Sequence, residues 1–485
     1  MTESHVAELD ELPLAVDLDG TLLLTDVLHE SCLQLLRNRP ALISVLPFRL
    51  AEGKAELKDY VADRTDLSVE NLPYNQPLIE WLSEEKKRGR QLLLCTASCE
   101  KYAQKIAEHL QLFDEVMSTT GSRNLSGSEK ASALVERFGH GQYDYIGNSS
   151  ADLPAWESAR NAIVVSQDEK LLSAVSARGQ VTRQFAPSAP DSTDWRVELR
   201  LQQWLKNLLL FAPVLAAHRV DEPGALGLLL IAFFAFSLCA SATYIMNDLL
   251  DLESDRIHPR KRLRPLASGR IPISNAMVVA AGLLTAGIGL GALIGSGFLL
   301  CLLAYLLLTG VYSWRLKRVV LLDCIVLSML YTLRIVAGAA AVQMGLSFWL
   351  LAFSVFLFLS LAFVKRYAEI EVQVLAGRDE LHGRGYKTSD GPLIQTLGVS
   401  AGFVAVLVFS MYLNSDQILL LYGAPEIVWG AVVVLVYWIS WMWLQAHRGL
   451  MHDDPLVFAV KEPASLISGM LFLAVLILGT VSFPW

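Results

Sequence analysis

Cysteine is scarce, and the six residues present (Cys32, Cys95, Cys99, Cys239, Cys301 and Cys324) show no spacing of a metal site. A cysteine-held metal is therefore not expected, and the thiols read as reduced and structural, as suits cytosol and bilayer. A basic stretch followed by an apolar signal segment is also missing from the N-terminus, so the first part of the chain is expected to stay in the cytoplasm. Nothing in the sequence suggests a nucleic-acid partner. The net charge is −8, but this average hides strongly basic loops on one side of a membrane and almost no basic residues on the other.

What is present falls into two halves. With 485 residues the chain can hold two or three domains. Residues 1–195 are charged and mixed, whereas the chain beyond about residue 200 is a series of apolar runs joined by short polar loops. Nine runs are counted, centred near residues 209, 237, 284, 304, 331, 356, 404, 435 and 473. Most supply the ~20 apolar residues that cross a hydrocarbon core. The first is short and begins in the amphipathic stretch Arg200 to Asn207. If the N-terminal half is cytoplasmic, the loops at 251–274, 314–318, 365–395 and 446–463 are cytoplasmic too. They hold nearly all of the loop lysines and arginines, while the opposite loops hold essentially only Arg219. The expected protein is a multi-pass membrane protein with its N-terminal half in the cytoplasm.

One loop carries chemistry. Asn247, Asp251 and Asp255 stand at i, i+4 and i+8 and share a helix face, with Asp248 beside it. Carboxylates crowded at the mouth of a membrane helix repel one another, and a hard divalent cation holding a diphosphate is the usual remedy. Arg256, Arg260, Lys261, Arg262 and Arg264 follow, and basic side chains there suit phosphate oxygens. Asp323 and Arg334 are ionisable residues inside apolar runs, so they should face the bundle interior. His452-Asp453-Asp454-Pro455 resembles a metal site but reads better as a loop with a helix cap.

The N-terminal half opens with Pro13-Leu14-Ala15-Val16-Asp17-Leu18-Asp19-Gly20-Thr21-Leu22, an apolar strand ending in Asp-x-Asp-Gly-Thr. Further strands are expected at Gln91–Thr96 and Tyr143–Gly147, with helices between them. This alternation predicts a parallel α/β sheet with its ligands at the strand C-termini. The insertion from about 26 to 75 reads as a helical cap. Phe185 to Asp194, rich in Pro, Ser and Asp, reads as a linker.

Residues 196–485 resemble the UbiA-type polyprenyltransferase superfamily, through Asn247, Asp248, Asp251, Asp255 and the sequel Arg264-Pro265-Leu266-Ala267-Ser268-Gly269. The resemblance implies an all-α, nine-helix transmembrane bundle that binds Mg²⁺-diphosphate, with Asp248 and Asp251 catalytic and Asn247, Asp248, Asp251 and Asp255 at the metal. The continuation Asp255-Arg256-Ile257-His258-Pro259-Arg260-Lys261 is similar to the decaprenyl-phosphate phosphoribosyltransferase branch. So is Lys365-Arg366-Tyr367-Ala368-Glu369, which stands where quinone-pathway members carry a second acidic motif. In that branch the donor is phosphoribosyl diphosphate and the acceptor a polyprenyl phosphate. The expected substrate-binding residues are Lys206, Asn207, Arg256, His258, Lys261, Arg264, Tyr312, Lys317, Lys365, Arg366, Tyr367 and Glu369. Prenyl transfer to an aromatic acceptor remains the alternative.

Residues 13–180 resemble the haloacid dehalogenase phosphatases. The resemblance makes Asp17 the nucleophile, Asp19 the general acid/base, Thr96 the phosphate-binding hydroxyl and Lys130 the stabilising cation. Asp17, Asp19, Asn148 and Asp152 are then expected at Mg²⁺, with Asn148 standing where the family usually has Asp. The expected domains are 1–183 phosphatase, 184–195 linker and 196–485 membrane transferase. The phosphatase would remove the 5-phosphate from the transferase product.

Overall fold

The computed structural model describes residues 12–120, 124–219, 221–381, 384–415, 422–451 and 454–481. The chain forms two compact units, Met1–Leu199 with Ile245–Val279, and Arg200–Tyr244 with Ala280–Trp485.

The first unit is built on six parallel strands: β1 (Leu14–Val16), β2 (Leu92–Cys99), β3 (Glu115–Thr119), β4 (Asp144–Gly147), β5 (Asn161–Val165) and β6 (Gln180–Phe185). They lie in the order β3-β2-β1-β4-β5-β6. β1 is apolar at every position, and β2 is apolar from Leu92 to Cys95, because both faces of a parallel sheet are covered. Leu14, Val16, Leu92 and Leu94 enter one core, and Ala15, Leu93, Cys95 and Tyr145 enter the other. The order reverses between β1 and β4, which opens a crevice beyond their C-terminal ends. Asp17 and Asp19 leave β1 at that crevice, and Asn148 leaves β4 there.

The insertion after β1 is helical, as expected, with helices at Val27–Asn38, Leu46–Glu52 and Lys54–Ala62. Asp26 caps the first by accepting from the amides of Leu28 and His29. At the other end of the domain, Phe185 closes β6 and a helix runs from Ser192 to Leu199, leaving 186–191 without regular structure.

Eight helices among the described residues are long and apolar enough to cross a membrane: Ala225–Leu250, Ile273–Ile294, Ser296–Trp314, Leu322–Ala341, Phe348–Leu375, Thr388–Leu413, Pro425–His447 and Pro463–Thr480. Large apolar side chains such as Leu293, Leu307 and Val433 are exposed on them, as lipid-facing positions require. This is a multi-pass membrane protein.

The ninth apolar run, expected near 209, is not a long α-helix. It is a 3₁₀ stretch, Leu201–Phe211, followed by the short helix Ala212–Ala216. Counting apolar residues measures burial but cannot tell one helical pitch from another. The tighter winding shows in the register of its contacts. Trp204 donates to Ser241 (3.0 Å) and Asn207 to Ser237 (2.9 Å), so three residues of this stretch match four of the neighbouring α-helix. Rises of about 2.0 and 1.5 Å per residue give that ratio.

The stretch also lies against Leu322–Ala341 with almost no gap. A Cβ on Gly338 would come within 2.7 Å of the Leu210 carbonyl carbon. Gly338→Val should therefore lower stability by about 1–3 kcal/mol, or more if the backbone cannot shift. Thermal unfolding in detergent measures this, and an unchanged melting temperature would contradict the close approach.

Candidate active sites

The crevice between β1 and β4 gathers the residues that the N-terminal motifs single out. Asp17 Oδ1 lies 2.6 Å from Lys130 Nζ, and its Oδ2 accepts from Thr21 Oγ1 at 3.0 Å. Lys130 also donates to Tyr145 (2.9 Å) and to Asp152 Oδ1 (3.4 Å). Burial raises the Asp17 carboxyl to about 6, with Lys130 opposing the rise and Asp152 adding to it. Burial also disfavours the Lys130 charge, but Asp17 and Asp152 outweigh it and hold that pKa above the usual lysine range.

Asp19 is oriented independently. Its Oδ1 accepts from the Val27 amide (2.8 Å) and its Oδ2 from Ser98 Oγ (2.6 Å). Burial first, then the nearby Asp26, pushes it up to about 7. A carboxyl with that pKa remains partly protonated near neutrality and can protonate a leaving oxygen. The proton is lost as pH rises through about 7. Phosphatase kcat/KM should fall about tenfold per pH unit above that point. An Asp19→Asn variant should lack that limb, and a wild-type profile still flat at pH 8.5 would rule Asp19 out as the acid.

Thr96 is fully buried, and its hydroxyl accepts from the Ser98 amide (3.0 Å). Ser98, which the sequence did not single out, lines the crevice and holds Asp19. Asp152 is bound on both oxygens: Oδ1 by Tyr145 and Lys130, Oδ2 by the amides of Asn148 and Ser149 and by the Ser149 hydroxyl. Asn148 lines the same crevice and lies against Gly20, whose lack of a side chain leaves room for it.

The aspartate motif ends the Ala225–Leu250 helix and opens the helix Leu252–Ile257. Asn247 Nδ2 is 3.4 Å from Asp251 Oδ2. One nitrogen of Arg264 reaches both Asp248 Oδ1 (3.2 Å) and Asp255 Oδ2 (2.7 Å), and Lys261 lies 3.3 Å from the other Asp255 oxygen. Among the described residues no three carboxylate, histidine or cysteine side chains converge closely enough to hold a metal by themselves. The donors are all hard oxygens, and two of them already converge on one cation. Mg²⁺ commonly takes one or two carboxylates and completes its shell with substrate phosphate and water. The residues fit that use, with Arg264 as the cation standing between them.

His258 accepts from the amides of Arg260 and Lys261 and shapes the turn. Arg256 departs from the sequence expectation. Its guanidinium is buried, with both terminal nitrogens on Glu30 (3.0 and 2.6 Å) and Nε on the Ala267 carbonyl (3.0 Å). Glu30 lies 226 residues away, so sequence spacing could not reveal the pair.

In the second unit Lys206 and Lys365 meet on one oxygen of Asp454, at 2.7 and 3.2 Å. Tyr331 donates to the other Asp454 oxygen at 3.2 Å. Burial would raise the Asp454 carboxyl, but the two ammonium groups outweigh it and hold its pKa below the usual carboxylate range. Asp454 also caps the helix Pro455–Ala459, as its sequence context suggested. His452 and Asp453 lie outside the described residues. Asn207 accepts from Arg334 (2.9 Å), which is buried and also bound to Tyr305.

Arg366 is a further departure. It is fully buried, 2.5 Å from Asp323, and it also pairs with Glu369. Tyr386 donates to Asp323 at 2.5 Å, and Arg384 bridges Glu369 (3.3 Å) and Tyr312 (3.4 Å). The pair joins two membrane helices, and removing one partner from such a pair costs about 3–5 kcal/mol. The guanidinium is engaged in holding the bundle rather than presented to a substrate phosphate. Tyr367 lies 3.0 Å from His447, and Lys317 sits in the turn Leu316–Arg318.

The UbiA prenyltransferase family matches residues 208–480 of this chain. The chain belongs to that family. The haloacid dehalogenase-like hydrolase family matches residues 14–157, which makes the N-terminal α/β domain one of that kind. The two matches together make the chain an enzyme. "Uncharacterized protein y4nM" of Sinorhizobium fredii is 37% identical over 476 residues, 97% of this chain and 92% of that one. "Nodulation protein NoeC" of Azorhizobium caulinodans is 38% identical over 270 residues, 55% of this chain and 87% of that protein. "Decaprenyl-phosphate phosphoribosyltransferase" of Mycobacterium tuberculosis is 36% identical over 183 residues, 37% of this chain and 61% of that enzyme.

Proposed function

We propose that this family member moves 5-phosphoribose from phosphoribosyl diphosphate to a polyprenyl phosphate, and that its N-terminal domain then removes the 5-phosphate. The observation that carries the reading is the cluster of Lys206 and Lys365 on Asp454: two ammonium groups share one carboxylate and leave a positive charge. A net cation suits a substrate with an additional phosphate better than a second metal-binding acidic motif would. The partial similarity to a decaprenyl-phosphate phosphoribosyltransferase supports the same choice.

In the first step an oxygen of the lipid phosphate forms a bond to C1 of the ribose. The C1–oxygen bond to diphosphate breaks, and diphosphate leaves with the electron pair. Asn247, Asp248, Asp251 and Asp255 would hold Mg²⁺, which when bound neutralises the diphosphate. Arg264 and Lys261 add fixed positive charge beside them. In the second step Asp17 attacks the 5-phosphate phosphorus while the ester oxygen takes a proton from Asp19. Asp19 then accepts a proton from the water that hydrolyses the aspartyl phosphate, and Lys130 offsets the phosphoryl charge.

The same reading sets the topology. Arg256 and Glu30 share an ion pair, so the loop after Ala225–Leu250 and the N-terminal domain lie on one side of the membrane, taken here as cytoplasmic. The chain must then also cross between 200 and 225, and the 3₁₀ stretch with its short helix extends roughly 30 Å, enough to do so. Membranes incubated with labelled phosphoribosyl diphosphate and polyprenyl phosphate test the reading. A labelled ribosyl lipid is expected. No such lipid, together with prenylation of an aromatic acid, would replace it with the aromatic-acceptor alternative.

A further inference from the structure

We infer that the loop following the aspartate motif forms a wall of the phosphatase pocket, and that its Arg270 selects substrates carrying a second anionic group. The inference rests on the phosphatase reading and names the substrate class of that site.

The pocket is a cavity of about 700 Å³. Asp17, Asp19 and Lys130 line it from the α/β domain, Lys58 from the helical insertion, and Gly269 and Arg270 from the loop. The loop is fastened there in two ways. Arg256 grips both oxygens of Glu30 in a buried bidentate pair, and Glu30 also accepts from Thr25 at 2.7 Å. Gly269 has a φ of +76°, and a Cβ there would stand 2.8 Å from Leu24 Cβ and 3.1 Å from Pro73 Cβ. The absence of a side chain is what lets the loop approach the phosphatase fold so closely. Arg256 is thus a positioning residue for this wall.

Arg270 is held rather than loose. Its guanidinium contacts Asp194 (2.7 Å), the Leu263 carbonyl (2.9 Å) and Ser268 Oγ (3.3 Å). Among the described residues these contacts use three of the five N–H donors and fix the plane of the fork. The side chain remains 45% exposed. An immobilised, partly open guanidinium in the same cavity as the nucleophile is suited to a second phosphate-type oxyanion. Lys130 stands 2.6 Å from Asp17 itself, so it serves the phosphate that Asp17 attacks and not a second anion. The substrate class that fits is a sugar phosphomonoester whose other end bears a phosphodiester.

The test uses full-length protein in detergent with two soluble substrates. One is ribose 5-phosphate. The other is a ribose 5-phosphate carrying a short alkyl phosphodiester at C1. The wild type should prefer the diester. Arg270→Gln should lower the ratio of the two kcat/KM values about 10- to 100-fold, chiefly through KM, as loss of a charge-assisted hydrogen bond implies. Arg270→Lys should recover part of the ratio. Loosening the wall with the paired change Glu30→Gln and Arg256→Met should lower the ratio as well. If the wild type hydrolyses both substrates without preference, or Arg270→Gln slows both equally, the inference fails and the phosphatase reading stands. If the wild type hydrolyses neither, both fall together.

Discussion

Asp17→Asn will stop release of the 5-phosphate while leaving formation of the phosphoribosyl lipid intact. The expected loss is at least about 10³-fold, because an amide cannot form the covalent phosphoryl intermediate that a carboxylate forms. The variant is nearly isosteric. The amide oxygen can face Lys130 while its NH2 donates to the Thr21 hydroxyl, and Lys130 retains Asp152 at 3.4 Å as a counter-charge. The domain should therefore remain folded, which circular dichroism and thermal melting check. Mass spectrometry of the lipids made from labelled phosphoribosyl diphosphate gives the readout. Accumulation of the phosphorylated product is the expected result. If dephosphorylated lipid still forms with no other phosphatase present, Asp17 is not the nucleophile. The neutral Asn148 sharpens the experiment, since wild-type turnover shows whether an amide suffices at that position.

How far these sites could be read from sequence depends on chain distance. Asp17 and Asp19 are legible because both leave one strand, and an apolar run followed by Asp-x-Asp-Gly-Thr marks the strand end. Asn247 to Asp255 are legible as a cluster from helical spacing, but the helix breaks at Asp251, where Asn247 meets Asp251 while Arg264 joins Asp248 to Asp255. The α/β fold, its helical insertion and the positions of β1, β2 and β4 follow from the same local patterns. Partners far apart in the chain are not legible in this way. Local sequence marks Asp454 only as a cap, yet it joins Lys206, 248 residues away, to Lys365, 89 residues away. Arg256 and Arg366 look like phosphate ligands when only neighbouring residues are considered. Glu30 and Asp323 claim them in the fold. Asp323 did carry a signal, because an acid inside an apolar helix needs a partner, and a buried arginine was the natural one to seek.

The Lys206, Lys365 and Asp454 cluster supports the second large effect. Lys365→Met should lower transferase kcat/KM about 10- to 100-fold, mainly by raising KM for the phosphorylated substrate, as expected for losing one charge-assisted contact. Lys206→Met should do at least as much. Lys206 is the more deeply buried of the two and stands 2.7 Å from Asp454, so it also fixes where that carboxylate points. The variants differ in what remains. Without one lysine, Asp454 keeps the other and stays paired, so stability should change little. Asp454→Asn is different, because it removes the carboxylate that Lys206 and Lys365 share and leaves a buried and a half-buried ammonium group facing each other across an amide. That variant should melt at a lower temperature, and its activity should depend more strongly on salt as added anions screen the repulsion. A purely structural role for the lysines predicts the opposite division: lower melting temperatures for Lys206→Met and Lys365→Met with KM unchanged. Measuring KM and melting temperature on all three variants separates the two accounts. Unchanged KM in both lysine variants would remove the cationic cluster from the site and, with it, the observation on which phosphoribosyl transfer rests.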